Sequence, residues 1–102
     1  MRILLVAALV LSSNVALSQS RTITQEHIGC KREEISDRLT KFAVQGDQEA
    51  FKKLLIAAMV AGECVRWEKG KQVFVEKSGW TVSCLRPAGE VQCYWTPVEA
   101  TR

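Results

Sequence analysis

The first twenty residues have the pattern of a cleavable export signal, and this pattern constrains how the rest of the chain can fold. Arg2 supplies a basic start, residues 3–11 are an uninterrupted apolar run, and Ala16 and Ser18 have the spacing that signal peptidases accept. The run is much shorter than the about 20 residues that a helix needs to cross a bilayer. The sequence therefore predicts a signal peptide in residues 1–20, cleaved after Ser18 or Ser20, and a mature chain that is periplasmic or secreted.

An exported chain of this size is expected to fold as one small domain, residues 21–102, held together by disulfides. Its hydrophobic core is small, and so cross-links add stability that the core alone lacks. The four cysteines all lie after the signal: Cys30, Cys64, Cys84 and Cys93. Outside the reducing cytosol an even number of cysteines predicts disulfides. Zinc binding is not favoured, because intervals of 33, 19 and 8 residues separate the cysteines, unlike the closely spaced pairs of zinc sites.

A predicted hairpin gives the disulfide pairing. If residues 87–90 form its loop, Cys84 lies directly opposite Cys93 on the neighbouring strand, and Val82 lies opposite Trp95. Directly opposed residues of an antiparallel pair are close enough to form a disulfide. The expected bridges are therefore Cys84–Cys93 and, by elimination, the bridge between the other two cysteines, Cys30–Cys64.

Two helices are predicted in the first half of the mature chain. Apolar residues recur at helical spacing over about residues 31–43. A second helix is expected over about residues 48–61, with Asp47 as its N-cap and Gly62 ending it in the left-handed conformation. This second helix is apolar over more than half of its circumference. We therefore expect it to be packed between the first helix and another element.

The second half of the chain alternates between apolar and polar residues, as strands do. Strands are predicted at 71–76, 80–85 and 91–95, separated by turn signals. The expected fold class is α+β, in which the two helices come first and pack on a small antiparallel β-meander over about residues 65–96. The second helix would cover the apolar face of the meander. The polar residues 19–29 are predicted to be poorly ordered.

An aromatic cluster near the C-terminus is the best candidate for a binding surface. Strand alternation places Trp95 on the face of the disulfide, in the expected core, and Tyr94 on the opposite face. Tyr94 and Trp67 are therefore candidates for an exposed aromatic patch, flanked by Arg66 and Arg86. Such a patch would suit an extended peptide, an envelope protein or a glycan.

Patterns that indicate catalysis or nucleic-acid binding are missing from the sequence. The single histidine, His27, belongs to no recognisable catalytic motif, and there is no glycine-rich phosphate loop or nucleophile elbow. Basic and acidic residues are interspersed at a formal net charge of +3, without a basic block of the kind that binds nucleic acid. We expect a protein that is not an enzyme and uses no metal or cofactor.

Part of the predicted meander resembles bacterial SH3-like domains. Gly70, Val73 and Val75 match a G-x-x-V-x-V strand, and Gly79 and Trp80 match the start of the strand that follows it. The resemblance covers about 30 residues. It implies an SH3-like sheet in a truncated or open form, because the predicted strands are too few for a full barrel.

The chain between residues 30 and 97 also resembles a group of small exported proteobacterial proteins of unknown role. The shared pattern is GD-x-x-AF-x-K-L at residues 46–54, G-x-C at 62–64 and Tyr-Trp-Thr at 94–96. Some such proteins occur on phages and conjugative plasmids, and plasmid-borne host-killing proteins are one candidate relative. The expected function is an interaction module of the bacterial cell envelope; the alternative is a host-killing or host-interfering envelope protein encoded on a mobile element.

Overall fold

The computed structural model describes residues 19–102. The predicted signal peptide up to its first cleavage site, residues 1–18, lies outside the described residues. The second cleavage site, after Ser20, falls inside the first strand. None of the helices within residues 19–102 has the length and apolar character of a membrane span.

The described chain forms six strands, two α-helices and a short 3-10 helix. In chain order these are β1 (Gln19–Thr22), β2 (His27–Cys30), α1 (Glu33–Gln45), α2 (Gln48–Val60), β3 (Cys64–Trp67), β4 (Gln72–Lys77), β5 (Val82–Pro87), β6 (Tyr94–Pro97) and the 3-10 helix (Val98–Thr101). The strands form one antiparallel sheet in the order β1-β4-β5-β6-β2-β3. Both helices are thus inserted between two strands that are neighbours in the sheet.

The sheet is strongly curled. β3 lies at one edge and β4 lies four strand spacings away, a distance of about 19 Å in a flat sheet. Only residues 68–71 connect them, and these form a turn in which the Lys71 N–H donates to the Glu68 carbonyl at 3.2 Å. A turn cannot cover that distance. The two sides of the sheet therefore bend towards each other around a concave face.

Each face of the curled sheet carries a hydrophobic cluster. On the concave face the buried members are Ile23, Trp67, Val73, Leu85, Tyr94 and Ala100. On the convex face, beneath the helices, they are Cys30, Ile35, Leu39, Ala58 and Cys64. Burial on both faces means that alternation along a strand does not separate core residues from exposed ones.

The helices begin and end as their local sequence predicts. The Asp47 side chain accepts a hydrogen bond from the Ala50 N–H at 3.1 Å, which confirms the predicted N-cap of α2. Gly62 follows the helix with φ of 73°, in the left-handed region where a side chain would be strained. α1 contacts β2 and β6, whereas α2 contacts α1 and β3.

α2 contacts α1 and another element, β3, as expected, but these contacts leave part of its apolar surface exposed: Ile56 is 63% exposed and Val60 is 84% exposed. The expectation that α2 covers the sheet is confirmed only at β3, because α1 provides the contacts over β2 and β6.

The predicted arrangement of the fold is wrong as well, although the chain combines helices and antiparallel strands as expected. β1 and β2 precede the helices, and six strands spread over residues 19–97 replace the meander over 65–96. Residues 19–29 are not poorly ordered, since β1 pairs with β4, β2 lies between β6 and β3, and Ile23 is only 1% exposed. An SH3-like meander does not describe this sheet, because its two edge strands, β1 and β3, are not among the predicted strands at 71–76, 80–85 and 91–95.

Both predicted disulfides are present. Cys30 and Cys64 are directly opposed on β2 and β3 with their Cα atoms 4.0 Å apart, and the Cα atoms of Cys84 and Cys93 are 5.3 Å apart. The predicted hairpin register is wrong by two residues, since Cys84 lies opposite Trp95 rather than Cys93. A shift of two residues keeps every side chain on its predicted face. The pairing was therefore right although the register was not.

Candidate binding groove

Trp67 and Tyr94 pack against each other on the concave face. Their rings meet edge to face, with centroids 5.9 Å apart and planes at 85°. The Trp67 Nε1–H donates to the Thr96 Oγ1 at 2.8 Å, and the Thr96 hydroxyl donates in turn to the Tyr94 carbonyl at 3.0 Å. All three residues are therefore fixed by one another, with the indole N–H satisfied inside the core.

The structure brings Trp67 and Tyr94 together as predicted, but not in an exposed patch. Trp67 is 3% exposed and Tyr94 is 8% exposed. Tyr94 does share a face with its opposite residue Leu85, as alternation predicts. That face is buried because the sheet curls over it and because Ile23 and Ala100 close it from the two ends of the described chain.

A groove opens on the concave side, next to the aromatic pair. Its volume is 430 Å³, and it is bordered by β3 and the turn that follows it, by the end of β5 and the loop after it, and by Tyr94 at the start of β6. Its lining residues are Val65, Arg66, Trp67, Glu68, Lys69, Lys71, Pro87, Glu90 and Tyr94. Three of the four predicted partner-binding residues, Trp67, Tyr94 and Arg66, therefore line one groove.

The strand that borders this groove has a free edge. The Lys31 N–H donates to the Glu63 carbonyl at 2.8 Å, which makes Lys31–Glu63 a hydrogen-bonded pair of the antiparallel register. Such pairs recur at every second residue, and so the pair Gly29–Val65 also exchanges hydrogen bonds. The residues on either side of Val65, Cys64 and Arg66, must then direct their backbone N–H and C=O groups away from β2. β3 is the last strand of the described sheet on this side, so these groups face no further strand.

The rim of the groove carries charges of both signs. Lys69 and Lys71 provide positive charges and Glu68 and Glu90 negative ones, whereas Arg66 borders the groove from β3. The ion pairs of the described residues involve Arg32 with Glu34 and Glu63, and Arg86 with Glu76. Arg66, Lys69 and Lys71 are thus in no ion pair within residues 19–102.

Arg86, the fourth predicted partner-binding residue, is engaged inside the fold. Its Nε lies 2.9 Å from Glu76 Oε2, its Nη1 donates to the Glu90 carbonyl at 3.1 Å, and its guanidinium lies 4.8 Å from the centroid of the Phe74 ring. Arg86 therefore holds the loop that carries Glu90, one wall of the groove. It positions the site and does not line it.

Other residues that drew attention in the sequence lie away from this groove. His27 is half-buried on β2 and lines two hollows beside the helices. Trp80, which matched the SH3-like pattern, lies before β5 and is 97% exposed. Within residues 19–102 no three histidine, cysteine or acidic side chains are grouped so that they could hold a metal ion.

Comparisons with protein-family models, with curated proteins and with solved structures found no match for this chain.

Proposed function

We propose that the chain is a non-enzymatic interaction module of the bacterial cell envelope that binds an extended peptide segment of another envelope protein. The peptide would add to the free edge of β3 as a further strand and lie in the adjacent groove. The observation that supports this proposal is the position of the edge: the outward-facing backbone groups of Arg66 border a groove with an apolar floor. Strand addition obtains its affinity from such backbone groups.

The burial of the aromatic residues favours a peptide over a glycan. Sugars stack on aromatic rings that present an open face, but Trp67 and Tyr94 are 3% and 8% exposed. A strand needs only the backbone edge of β3 and room for alternate side chains, and the groove of 430 Å³ provides that room.

The two disulfides are consistent with a protein that functions outside the reducing cytosol. A periplasmic or secreted location is part of the proposal, and the pattern of residues 1–20 supports it. In that compartment the accessible peptide segments are those of envelope proteins, and these are the proposed partners.

The test is selection from a library of short random peptides, followed by binding measurements with two variants of one residue. Arg66→Pro removes the N–H that faces away from β2, whereas Arg66→Ala keeps the backbone and removes the side chain. We expect selected peptides to bind the parent and Arg66→Ala, and to lose at least tenfold in affinity for Arg66→Pro, on the order of the 1.4 kcal/mol that such a factor represents.

Thermal unfolding and circular dichroism establish whether Arg66→Pro is folded. If it is not, backbone amide NMR of the parent protein provides the same information, because strand addition must shift the amide signals of Cys64 and Arg66. A library that yields no binder, or binders that leave both of these signals in place, would contradict the proposal.

A second candidate function is interference with a host envelope by a protein encoded on a mobile element. It is favoured by the outer side of α2, where Ile56 and Val60 are largely exposed and Lys52 and Lys53 lie one turn away. Apolar and basic residues on one helix suit a lipid surface. Expression with and without residues 1–20 tests it: growth arrest that requires these residues supports this function, and harmless accumulation in the periplasm contradicts it.

A further inference from the structure

We infer that the bound peptide is read on both faces of β3, by an acidic residue opposite Arg66 and by an apolar residue on either side of it. This inference rests on the proposed strand addition, and it specifies the class of sequence that the site selects. It follows from which side chains of β3 lie on each face of the sheet and from the chemistry around them.

Successive residues of β3 face opposite sides of the sheet. Val65 and Trp67 face the concave side, where the groove lies, and Arg66 faces the convex side, where it lies opposite Ile28 of β2. Directly opposed residues of neighbouring strands share a face. A peptide residue paired with Arg66 therefore projects to the convex side, and its two neighbours project into the groove.

The two groove positions favour apolar side chains. The floor beneath them consists of Val65, Trp67, Pro87 and Tyr94, and the indole N–H and the Thr96 hydroxyl are already paired with each other. A polar side chain placed on this floor would lose its hydrogen bonds to water without replacement. An apolar side chain of moderate size avoids this cost.

The position opposite Arg66 favours a carboxylate. Arg66 is exposed and is in no ion pair within the described residues. It also lines a hollow of 210 Å³ together with Glu26, His27, Ile28, Phe51 and Leu55. Glu26 is acidic, but it precedes β2 and is not the residue paired with Arg66, since that residue is Ile28. A carboxylate directly opposite Arg66 on an added strand, about 5 Å away between Cβ atoms, would be its nearest acidic partner.

The experiment uses two peptides with blocked termini and the same serine and threonine flanks. Their central segments are Val-Glu-Val and Val-Lys-Val, so that the peptides differ at the central residue only. For a partly exposed pair we expect the Glu peptide to bind the parent protein about threefold to tenfold more tightly. Arg66→Glu should reverse this preference. Lys53→Glu, a matched charge reversal on the exposed side of α2, should leave it unchanged.

The outcomes separate this inference from the proposed function. Equal affinity for the two peptides, together with loss of binding in Arg66→Pro, would overturn the inference and leave strand addition in place. A preference for Glu that persists in Arg66→Glu would also overturn it. If neither peptide binds while library-selected peptides bind at the edge of β3, the inference is wrong about the class of sequence; if no peptide of either origin binds, both proposals fail.

Discussion

Gly29 allows the Trp67 side chain to cross β2, the strand that lies between Trp67 on β3 and Thr96 on β6. A Cβ atom at position 29 would lie 2.4 Å from Trp67 Nε1 and 2.6 Å from Thr96 Oγ1. The missing side chain is thus what permits the buried hydrogen bond between two strands that are not neighbours. The sequence could not predict this role, because no local pattern relates Gly29 to a tryptophan 38 positions later.

Replacing Gly29 by alanine should therefore destabilise the fold by about 1–3 kcal/mol, as overpacking of a core does. The measurement is the free energy of unfolding in urea. The control is the same substitution in a Trp67→Phe background, where the contact with the indole nitrogen is removed and the contact with Thr96 Oγ1 remains, so that the added methyl group should cost less. Equal costs in the two backgrounds would contradict the proposed contact.

Residue patterns predicted which candidate residues come together, but not how exposed they are. Trp67, Tyr94 and Arg66 meet at one groove because alternation correctly assigns Tyr94 to the face of Leu85. The expectation that this face is exposed is wrong, because the exposure of the face depends on the curl of the sheet. The free edge of β3 was missed for a related reason: strand order is set by pairing between distant segments.

At the scale of elements, the two helices were predictable and the first two strands were not. The helices are 13 residues each, with apolar periodicity and a good N-cap at Asp47. β1 and β2 are only four residues each, and all four residues of β1 are exposed. A strand without a buried face has no alternation to reveal it, and only its hydrogen bonds to β4 define it.

The two disulfides should differ in how much they stabilise the fold. Cys30–Cys64 spans 34 positions and encloses both helices, whereas Cys84–Cys93 spans nine and closes one hairpin. Chain entropy gives about 3.8 kcal/mol for the first and about 2.7 kcal/mol for the second. Replacing both cysteines of Cys30–Cys64 by alanine should therefore lower the free energy of unfolding more than replacing both cysteines of Cys84–Cys93. Unfolding measurements on the two variants check this order. The opposite order would mean that chain entropy does not govern their contributions.

At the scale of the whole molecule, the two ends of the described chain complete the core. The Thr24 N–H and hydroxyl donate to the Ala100 carbonyl at 2.7 and 3.2 Å, and the Gly70 N–H donates to the Ile23 carbonyl at 2.8 Å. Ile23 and Ala100 are 1% and 0% exposed. The segment before β2 therefore joins the 3-10 helix and the β3–β4 turn, and closes the concave face beside the groove.

Ile23→Ala should cost about 2–5 kcal/mol, because it removes a large buried side chain from the main core. Val91→Ala is the control: Val91 is 98% exposed, so a change within about 0.5 kcal/mol is expected. Urea unfolding of the two variants measures both values. If residues 19–29 were poorly ordered, Ile23→Ala would change the free energy of unfolding no more than Val91→Ala does. That result would contradict this architecture.

Hydrogen exchange at single backbone amides is the decisive test of the free edge of β3. In the protein alone the Val65 amide, which bonds to β2, should exchange slowly, whereas the Arg66 amide should exchange rapidly. Saturation with a library-selected peptide should slow exchange at Arg66 and Cys64. An Arg66 amide that is already protected in the free protein, or that stays unprotected in the complex, would contradict strand addition at this edge.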